Sequence, residues 1–298
     1  MDGFLNLHKP SGWTSHDCVA KVRRILQQKK VGHGGTLDPM ATGVLPIALG
    51  RATRLIQYLP GEKAYRATVR FGLTTTTDDI EGETIETRST ASLTEEAAIA
   101  QLDRFIGSIE QIPPKFSAIQ VNGKRLYDLA RVGEDVDVPV RTVVVSAIEV
   151  GGWRGGEFPE LDLSIACGAG TYIRAIARDL GEAVGTGATL SSLERTLSSG
   201  LDLGTSLAIE ALTERIEAGT FAPISPNVAL VGLPAIAIAG DIARRWRLGQ
   251  RVAIEGAAVP EVAAEFYRVC GPAGDFFGIG RFNVETAQLA PKMVYAPA

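Results

Sequence analysis

The sequence is poor in the residues that build metal sites and disulfide frameworks. Its 298 residues include only three cysteines and three histidines. They are far apart and follow no metal-ligand spacing: Cys18, Cys167, Cys270, His8, His16 and His33. A zinc site would need closely spaced ligands, and a secreted disulfide scaffold would need many more cysteines. We therefore expect no metal ion and a cytoplasmic location.

Long apolar runs and two common nucleotide-binding motifs are also absent. No stretch is apolar for long enough to span a bilayer, and the first residues, MDGFLNLHKP, lack a signal-peptide pattern, so we expect no membrane association. The glycine-rich stretch that begins at Gly32 lacks the Gly-Lys-Ser/Thr of a P-loop. Leu37 stands where a dinucleotide fingerprint needs its third glycine.

Positive charge is concentrated in the first part of the chain, although the net charge is −4. Residues 1–70 contain 11 lysines and arginines against 4 acidic residues, and the remainder contains 19 against 30. A phosphate-bearing partner would be attracted to the first region and repelled elsewhere. Chance segregation of surface charge is the alternative explanation.

One stretch, residues 30–49, has the features of a loop that carries a reactive group. Its sequence is KVGHGGTLDPMATGVLPIAL. The first glycines permit unusual backbone conformations, and Pro39 restricts the backbone around a single carboxylate, Asp38. Residues 44–49 predict a buried strand. An acid on a stiff loop is typical of a catalytic group, and an ordinary turn with a solvated aspartate fits the pattern equally well.

The same stretch resembles a known family. The segment GHGGTLDPMATGVLPIALGRATR resembles the catalytic motif of the TruB family of tRNA pseudouridine synthases, which implies that Asp38 is the nucleophile. NLHKPSGWTSHD resembles the first motif of that family, which implies that Lys9 and Pro10 pack beside the active-site loop. His33 is a candidate to fill the space that a flipped base vacates. A loop histidine hydrogen-bonded to backbone is the alternative.

Two further pocket residues are implied for the strands. Residues 63–71, KAYRATVRF, alternate between apolar and polar side chains and predict a half-exposed strand with Tyr65 on its inward face. In the family the tyrosine at this place stacks on the target uracil, which implies that role for Tyr65. Leu193, in ATLSSLERTLSSG, resembles the leucine that closes the pocket wall. Core packing is the alternative for both residues.

A cation partner for Asp38 is indicated by the segment GAGTYIRAIARDLGEAVG. Its spacing predicts a helix that is capped by Thr171 and ended by Gly181, with Arg174 in the first turn. A cation there opposes the helix dipole, and residues placed against their local preference are more often functional than average. The resemblance implies that Arg174 pairs with the catalytic aspartate and that Tyr172 lines the pocket.

Residues 111–131, QIPPKFSAIQVNGKRLYDLAR, combine basic and aromatic side chains. Asn122-Gly123 predicts a hairpin turn, and residues 126–132 predict an amphipathic helix. This composition suits RNA loops, and a solvated hairpin is the alternative. In the family the region is a thumb-like insertion that grips the T-arm of tRNA. The resemblance therefore implies an insertion at about residues 113–142, with RNA contacts by Lys124 and Arg125.

The order of predicted elements favours an α+β fold. The resemblance implies the pseudouridine synthase fold, with a mixed, largely antiparallel central sheet flanked by helices. Residues 74–82, TTTTDDIEG, predict a polar loop. Beyond residue 225, short apolar runs separated by Gly and Pro indicate a small β-rich module. We therefore predict a catalytic domain at residues 1–228 and a PUA-like domain at residues 229–298.

The resemblance implies one reaction, in which the uridine at position 55, in the tRNA T-arm, is flipped out and isomerised to pseudouridine. That reaction oxidises nothing and loses no group, so we expect no cofactor, and we expect no obligate protein partner. A protein that only binds and folds tRNA, a glycosidase with a carboxylate nucleophile and a guide-RNA-dependent relative are the alternatives. The glycosidase would need a second carboxylate, and the resemblance implies no pocket carboxylate besides Asp38.

Overall fold

The structure is a computed structural model that describes residues 1–117, 120–121, 124–125, 138–254 and 263–295. Up to residue 202 its strands are β1 (Gly3–Lys9), β2 (Val31–His33), β3 (Thr42–Leu49), β4 (Lys63–Phe71), β5 (Leu73–Thr75), β6 (Thr84–Thr87), β7 (Gly107–Gln111), β8 (Gln120–Val121), β9 (Lys124–Arg125), β10 (Arg141–Arg154), β11 (Glu160–Cys167), β12 (Ala188–Ser198) and β13 (Leu201–Asp202).

The α-helices are short and lie between and after these strands. They are α1 (Ser15–Ile25), α2 (Glu95–Ile99), α3 (Ile173–Ala183), α4 (Ile209–Glu217), α5 (Pro226–Ala229) and α6 (Gly240–Arg247). Segments of 3-10 helix occupy Gly50–Tyr58, Leu102–Phe105 and Leu203–Thr205. In the described part of the chain, no helix combines the length and apolar character that crossing a membrane requires.

A nine-stranded sheet forms the centre of the described residues. Its order is β1-β3-β12-β4-β11-β10-β7, with β2 paired to β3 and β13 paired to β12. β3 and β12 are parallel, whereas the other neighbouring strands are antiparallel. The mixed, largely antiparallel sheet that the sequence predicts is therefore confirmed.

β4 divides its side chains between two faces, as its alternation predicts. The residues on one face are buried in a core that includes α3: Tyr65, Ala67, Val69 and Phe71. On the other face, Arg66 and Arg70 form ion pairs with acidic residues of the neighbouring strands. Around β4 the central sheet thus has one apolar face, which α3 covers, and one polar face.

Helix α3 begins and ends differently from the sequence prediction. Its N-cap is Tyr172, because the Thr171 hydroxyl donates to the Gly168 carbonyl oxygen at 3.1 Å instead of capping the helix. Gly181 lies inside the helix, where a Cβ would come within 2.1 Å of the Ala188 backbone nitrogen. The predicted helix end at Gly181 was wrong, because this glycine serves the close approach of α3 to β12.

The outer edge of β1 is covered by a later part of the chain. Phe4 exchanges two backbone hydrogen bonds with Ile224, at 2.8 and 2.7 Å. Further along the strand, the Leu207 backbone donates to the Asn6 carbonyl oxygen and accepts from the His8 N–H, both at 2.8 Å. The segment that leaves the central sheet therefore returns along its edge.

The last part of the described chain forms a second, smaller sheet, which confirms the predicted β-rich module. Its strands are β14 (Ala235–Ala237), β15 (Val252–Ala253), β16 (Tyr267–Cys270), β17 (Phe276–Asn283) and β18 (Gln288–Val294), in the order β14-β16-β17-β18-β15. Trp246 of α6 is buried in its core. Phe4 and Leu55 pack in one cluster with Phe276 and Met293 of this sheet. The domain boundary between residues 228 and 229 stays a prediction.

The predicted insertion is described only in part. β8 and β9 pair antiparallel, with Gln120 opposite Arg125 and Val121 opposite Lys124. This pairing agrees with the predicted hairpin. The turn at Asn122-Gly123, the predicted helix at residues 126–132 and the side chains of Lys124 and Arg125 lie outside the described residues.

Gly43 lies where β3 comes into close contact with β12. Its φ is +98°, and a Cβ would lie 2.3 Å from the Arg195 carbonyl oxygen. We expect Gly43→Ala to lower the thermal unfolding temperature more than Gly200→Ala, whose φ is +76° but whose Cβ would meet open space. In both variants the left-handed backbone of the new alanine costs about 1–2 kcal/mol of stability. Only in Gly43→Ala does the new Cβ also clash with the neighbouring strand, at a further cost of about 1–3 kcal/mol. Equal shifts in calorimetry would contradict the close strand approach.

Candidate active site

Helix α1 fixes one end of the loop that carries Asp38. The Ser15 hydroxyl, in the first turn of that helix, accepts from the Leu37 N–H at 2.9 Å and lies 3.2 Å from the Leu37 carbonyl oxygen. On the other side of the aspartate, the Ala41 N–H donates to the Asp38 carbonyl oxygen at 3.1 Å. The backbone is therefore held before and after Asp38, as a rigid catalytic loop requires.

Lys9 lies under the same loop with its ammonium group buried. Its Nζ donates to the carbonyl oxygens of Pro10, Trp13 and Pro39 at 2.9, 2.6 and 3.0 Å. Burial lowers the pKa of this ammonium, and the nearby Asp38 carboxylate acts against that change. Lys9 is therefore beside the loop, as the resemblance implies, and its donors are directed at backbone.

Asp38 and Arg174 form a two-point ion pair. Arg174 Nε lies 3.0 Å from Asp38 Oδ2, and Arg174 Nη2 donates to Asp38 Oδ1 at 3.0 Å. The Arg174 side chain is 5% exposed and that of Asp38 is 33% exposed, so the carboxylate has one open side. Burial raises the pKa of the Asp38 carboxyl, and the charge of Arg174 opposes the rise. The structure thus brings together the two residues that the sequence analysis paired.

A second carboxylate, Asp79, shares the same guanidinium. Arg174 Nη1 lies 3.3 Å from Asp79 Oδ2 and donates to the Thr77 carbonyl oxygen at 2.9 Å. Asp79 Oδ1 accepts from the Thr77 hydroxyl at 2.6 Å and from the Glu81 N–H at 3.1 Å. Burial is the largest influence on the pKa of Asp38 and raises it, and the charge of Arg174 opposes that rise. The charge of Asp79 raises the same pKa further.

Sequence reasoning missed Asp79, and the expectation of a single carboxylate at the site was wrong. Residues 74–82 resemble any polar, turn-rich loop, and their acidic doublet is the only signal that sets them apart. The contact with Arg174 is long-range, and periodicity does not report such contacts.

Tyr65 and Leu193 come from adjacent strands and face the same side of the sheet. Leu193 lies opposite Ala67, and Arg195 lies opposite Tyr65. Tyr65 and Leu193 are buried in one cluster with Leu37, the residue before Asp38. Burial raises the pKa of the Tyr65 phenol, and the charge of Arg195, which also forms a hydrogen bond to the phenol, lowers it. Tyr65 and Leu193 are therefore core residues that also lie beside the Asp38 loop, so the core and the pocket interpretations are compatible.

Arg195 is a buried cation that the sequence analysis did not single out. Its side chain has no exposed surface. Its Nε donates to the Val44 carbonyl oxygen at 2.7 Å, and Nη2 and Nη1 donate to those of Gly35 and Thr36 at 3.1 and 3.4 Å. Arg195 thereby joins β12 to the glycine-rich loop. Its place two residues after Leu193, on the inward face of a strand, is the signal that was available.

Tyr172 precedes α3, and its backbone is held by the last residue of β7. Gln111 Nε2 donates to the Tyr172 carbonyl oxygen at 3.2 Å, and Gln111 Oε1 accepts from the Tyr172 N–H at 3.0 Å. Burial raises the pKa of the Tyr172 phenol, and the charge of Asp38 contributes in the same direction. Tyr172 therefore lies within electrostatic reach of the aspartate.

His33 ends β2 beside His16 of α1. The two rings meet edge to face, with centroids 5.3 Å apart. Burial lowers the pKa of His33, His16 lowers it further, and a hydrogen bond with the Gly35 backbone raises it. The contact with the Gly35 backbone favours the interpretation of His33 as a loop histidine bound to backbone. Its position beside the Asp38 loop favours the functional interpretation.

Other possible sites lie apart from this arrangement. A cleft of about 790 Å³ opens on the polar face of the sheet and reaches Met40 and Leu193, but neither Asp38 nor Arg174 lines it. Among the residues that the structure describes, no group of three or more His, Cys, Asp or Glu side chains is placed to hold a metal ion.

Family comparisons agree on both parts of the chain. Residues 23–173 match the family model described as "TruB family pseudouridylate synthase (N terminal domain)". Residues 234–295 match the one described as "Pseudouridine synthase II TruB, C-terminal".

Individual relatives are similar over the whole chain. The tRNA pseudouridine synthase B of Trichormus variabilis is 54% identical over 297 residues, which are 100% of this chain and 99% of the relative. That of Microcystis aeruginosa is 50% identical over 296 residues, 99% of each chain. Among solved structures, a chain of a Cbf5-Nop10-Gar1 complex is 28% identical with a TM-score of 0.76, over 99% of this chain and 85% of that chain.

The contacts of Arg195 generate a test of the loop. We expect Arg195→Met to lower the free energy of unfolding by about 2–4 kcal/mol, because one buried and two partly buried carbonyl groups lose their donor. Amide exchange of residues 34–37, measured by mass spectrometry, should accelerate. Arg66→Met is the matched control, because Arg66 lies on the neighbouring strand in an exposed ion pair with Glu194, worth at most about 1 kcal/mol. Unchanged exchange in Arg195→Met would mean that the loop is rigid without this side chain.

Proposed function

Because this chain belongs to the TruB family of pseudouridylate synthases, we propose that its substrate is tRNA and its target the uridine at position 55 of the T-arm. The family assignment brings with it the pseudouridine synthase fold and the isomerisation of uridine to pseudouridine. The choice of substrate is supported by the name of the relatives and by the resemblance of residues 111–131 to the thumb-like insertion.

The observation that carries this proposal is the ion pair of Asp38 and Arg174 on a rigid loop. Isomerisation breaks the N1–C1′ bond, turns the freed uracil and joins its C5 to C1′. The protein has to supply an anion at the junction of sugar and base and a place that retains the uracil. Asp38 is the anion, since its carboxylate has an open side and its backbone is fixed.

Arg174 favours the ionised form of this carboxylate and orients it. A desolvated carboxyl group favours its protonated form, and an adjacent guanidinium stabilises the ionised form. The hydrogen bond from Nη2 to Oδ1 and the 3.0 Å ion-pair distance from Nε to Oδ2 also restrict the direction of the carboxylate oxygens, which holds the nucleophile in a reactive orientation. Asp79 binds another edge of the same guanidinium and holds it in place.

Asp79 does not turn the site into a glycosidase. A retaining glycosidase needs a second carboxyl group as a proton donor, about 5–5.5 Å from the nucleophile. The Asp79 side chain is 5% exposed, and its neighbours are a guanidinium, a hydroxyl and a backbone N–H, all of which donate to it. Asp79 is therefore enclosed and already bound by these groups, so it is not placed to protonate a substrate.

The residues around Asp38 suit an extruded uracil. We assign Tyr65 to the stacking surface under the base and Leu193 to the opposite wall, with Tyr172 beside Asp38. The Tyr65 hydroxyl, bound to Arg195, is the group that helps to remove the proton from C5. A uridine inside a folded T-arm must leave its stack, at a cost of a few kcal/mol, and His33 is our candidate to fill the vacated space.

Recognition of the RNA is assigned to the first, positive part of the chain and to the insertion. We place the catalytic domain at residues 1–228, the gripping insertion at about residues 113–142 and a PUA-like RNA-binding domain at residues 229–298. The insertion favours stand-alone recognition of tRNA in the cytoplasm, without guide RNA or an obligate protein partner. Cbf5 has been solved in complexes with Nop10 and Gar1, and that assembly is a property of those proteins.

The first test concerns the chemistry. We expect Asp38→Asn to fold and to bind an unmodified tRNA transcript with wild-type affinity but to form no pseudouridine, because an amide cannot act as the anion. Chemical mapping of pseudouridine in the transcript gives both the yield and the position. Asp241→Asn, an exposed acid of α6, is the matched control. Turnover of Asp38→Asn near the wild-type rate would remove this residue from the chemistry, and modification at another position would refute position 55.

The second test concerns the grip on RNA. We expect the double variant Lys124→Ala and Arg125→Ala to weaken tRNA binding and to reduce the slope of log K against log salt by about one to two, because phosphate contacts release counterions. Filter binding at several salt concentrations measures that slope. The double variant Arg104→Ala and Arg215→Ala is the control, because it changes the net charge equally at two exposed residues outside the regions assigned to RNA. The same slope in both double variants would place the RNA elsewhere.

A further inference from the structure

Arg178 lies one helical turn after Arg174 and is the second arginine of α3 that contacts the loop of residues 77–79. Its Nη1 lies 2.9 Å from Asp78 Oδ2. Arg174 binds the residues on either side, the Thr77 carbonyl oxygen and the Asp79 carboxylate. The two arginines thus contact three successive residues of the loop.

Asp78 has a backbone conformation that depends on such contacts. Its φ is +60°, and the left-handed region costs a residue with a side chain about 1–2 kcal/mol. Strand β12 holds one side of the loop, because the Leu190 N–H donates to the Asp78 carbonyl oxygen at 3.1 Å and the Leu190 carbonyl oxygen accepts from the Ile80 N–H at 2.9 Å. Arg178 holds the side that faces α3.

The same two arginines also hold the segment that leads into the insertion. Arg178 Nη2 donates to the Ile112 carbonyl oxygen at 2.9 Å, and Arg174 Nη2 donates to that of Phe116 at 3.0 Å. The helix therefore binds, with two neighbouring side chains, the catalytic loop, the loop of residues 77–79 and the base of the insertion.

We propose that Arg178 is a positioning residue for the isomerisation: it holds Asp78 and Ile112 in place so that Arg174 presents Asp38 to the nucleotide. This inference rests on the proposed function. Arg178 acts through the loop and through Arg174, and it has no role in the bond changes themselves.

The physical basis is the charge balance of Asp78. Without the Arg178 guanidinium, the Asp78 side chain, which is 17% exposed, becomes a carboxylate without its close cation. An uncompensated charge of this kind is costly, so the residue turns toward water and its left-handed backbone relaxes. Thr77 and Asp79 then move away from Arg174. A shift of about 1 Å in a catalytic group costs up to about a hundredfold in rate.

Arg178→Met tests this in the full-length chain with an unmodified tRNA transcript. We expect kcat to fall by roughly ten- to a hundredfold, whereas KM and the Kd for tRNA stay within about twofold. Arg178→Lys keeps the charge and should recover part of the rate. Adding Asp78→Asn to Arg178→Met should also recover part of it, because the double variant no longer strands the enclosed carboxylate of residue 78 and asparagine tolerates a positive φ. The other acid that Arg178 contacts, Asp179, is 35% exposed and can turn to water.

Arg88→Met is the matched control, because Arg88 binds Glu182 at the far end of the same helix at 3.1 Å. Its kcat should equal that of the wild type. The inference is overturned if Arg178→Met keeps the wild-type kcat, if Arg88→Met loses as much, or if Asp78→Asn recovers nothing. Should Arg178→Met fail to fold, Arg178→Lys replaces it, and a kcat equal to the wild type would then overturn the inference. A wild-type chain that forms no pseudouridine would instead refute the proposed function.

Discussion

The guanidinium of Arg174 is the contact on which the site depends. It is almost fully enclosed, and its donors are directed at the Asp38 and Asp79 carboxylates and at the carbonyl oxygens of Thr77 and Phe116. A buried charge is tolerated where opposite charges and hydrogen-bond acceptors surround it closely. The planar fork of an arginine makes that demand directional. Three separate segments of chain must therefore take up fixed positions around one side chain, and this requirement organises the loop that carries Asp38.

Two more buried cations support the loop from below, and both use the backbone. Lys9 joins the Pro39 carbonyl oxygen to those of Pro10 and Trp13. Arg195 binds three carbonyl oxygens on either side of the aspartate, those of Gly35, Thr36 and Val44. Because the partners are carbonyl groups, these cations add positive potential near Asp38 without adding a competing acid. The raised pKa of Asp38 shows what burial costs the carboxylate, and the surrounding cations oppose that cost.

The sequence predicted the parts of this structure that depend on local pattern or on motif resemblance. Alternation placed Tyr65 on the inward face of β4, and the family motifs paired Asp38 with Arg174 across 136 residues. The sequence patterns were wrong or silent where contacts with a distant part of the chain determine the structure. Gly181 is the usual signal for a helix end, yet it is required by the approach of β12. Asp79 and Arg195 looked like ordinary loop and strand residues, because their significance lies in partners far along the chain.

The covered edge of β1 also affects the tendency of the protein to aggregate in solution. An outer strand with mostly buried side chains and free backbone groups is a template on which a second molecule can add its own strand. Here the Phe4, Asn6 and His8 backbone groups are already bound by residues 207 and 224. The segment that connects the two sheets therefore also blocks edge-to-edge aggregation, which would otherwise compete with folding at the concentrations of a cell.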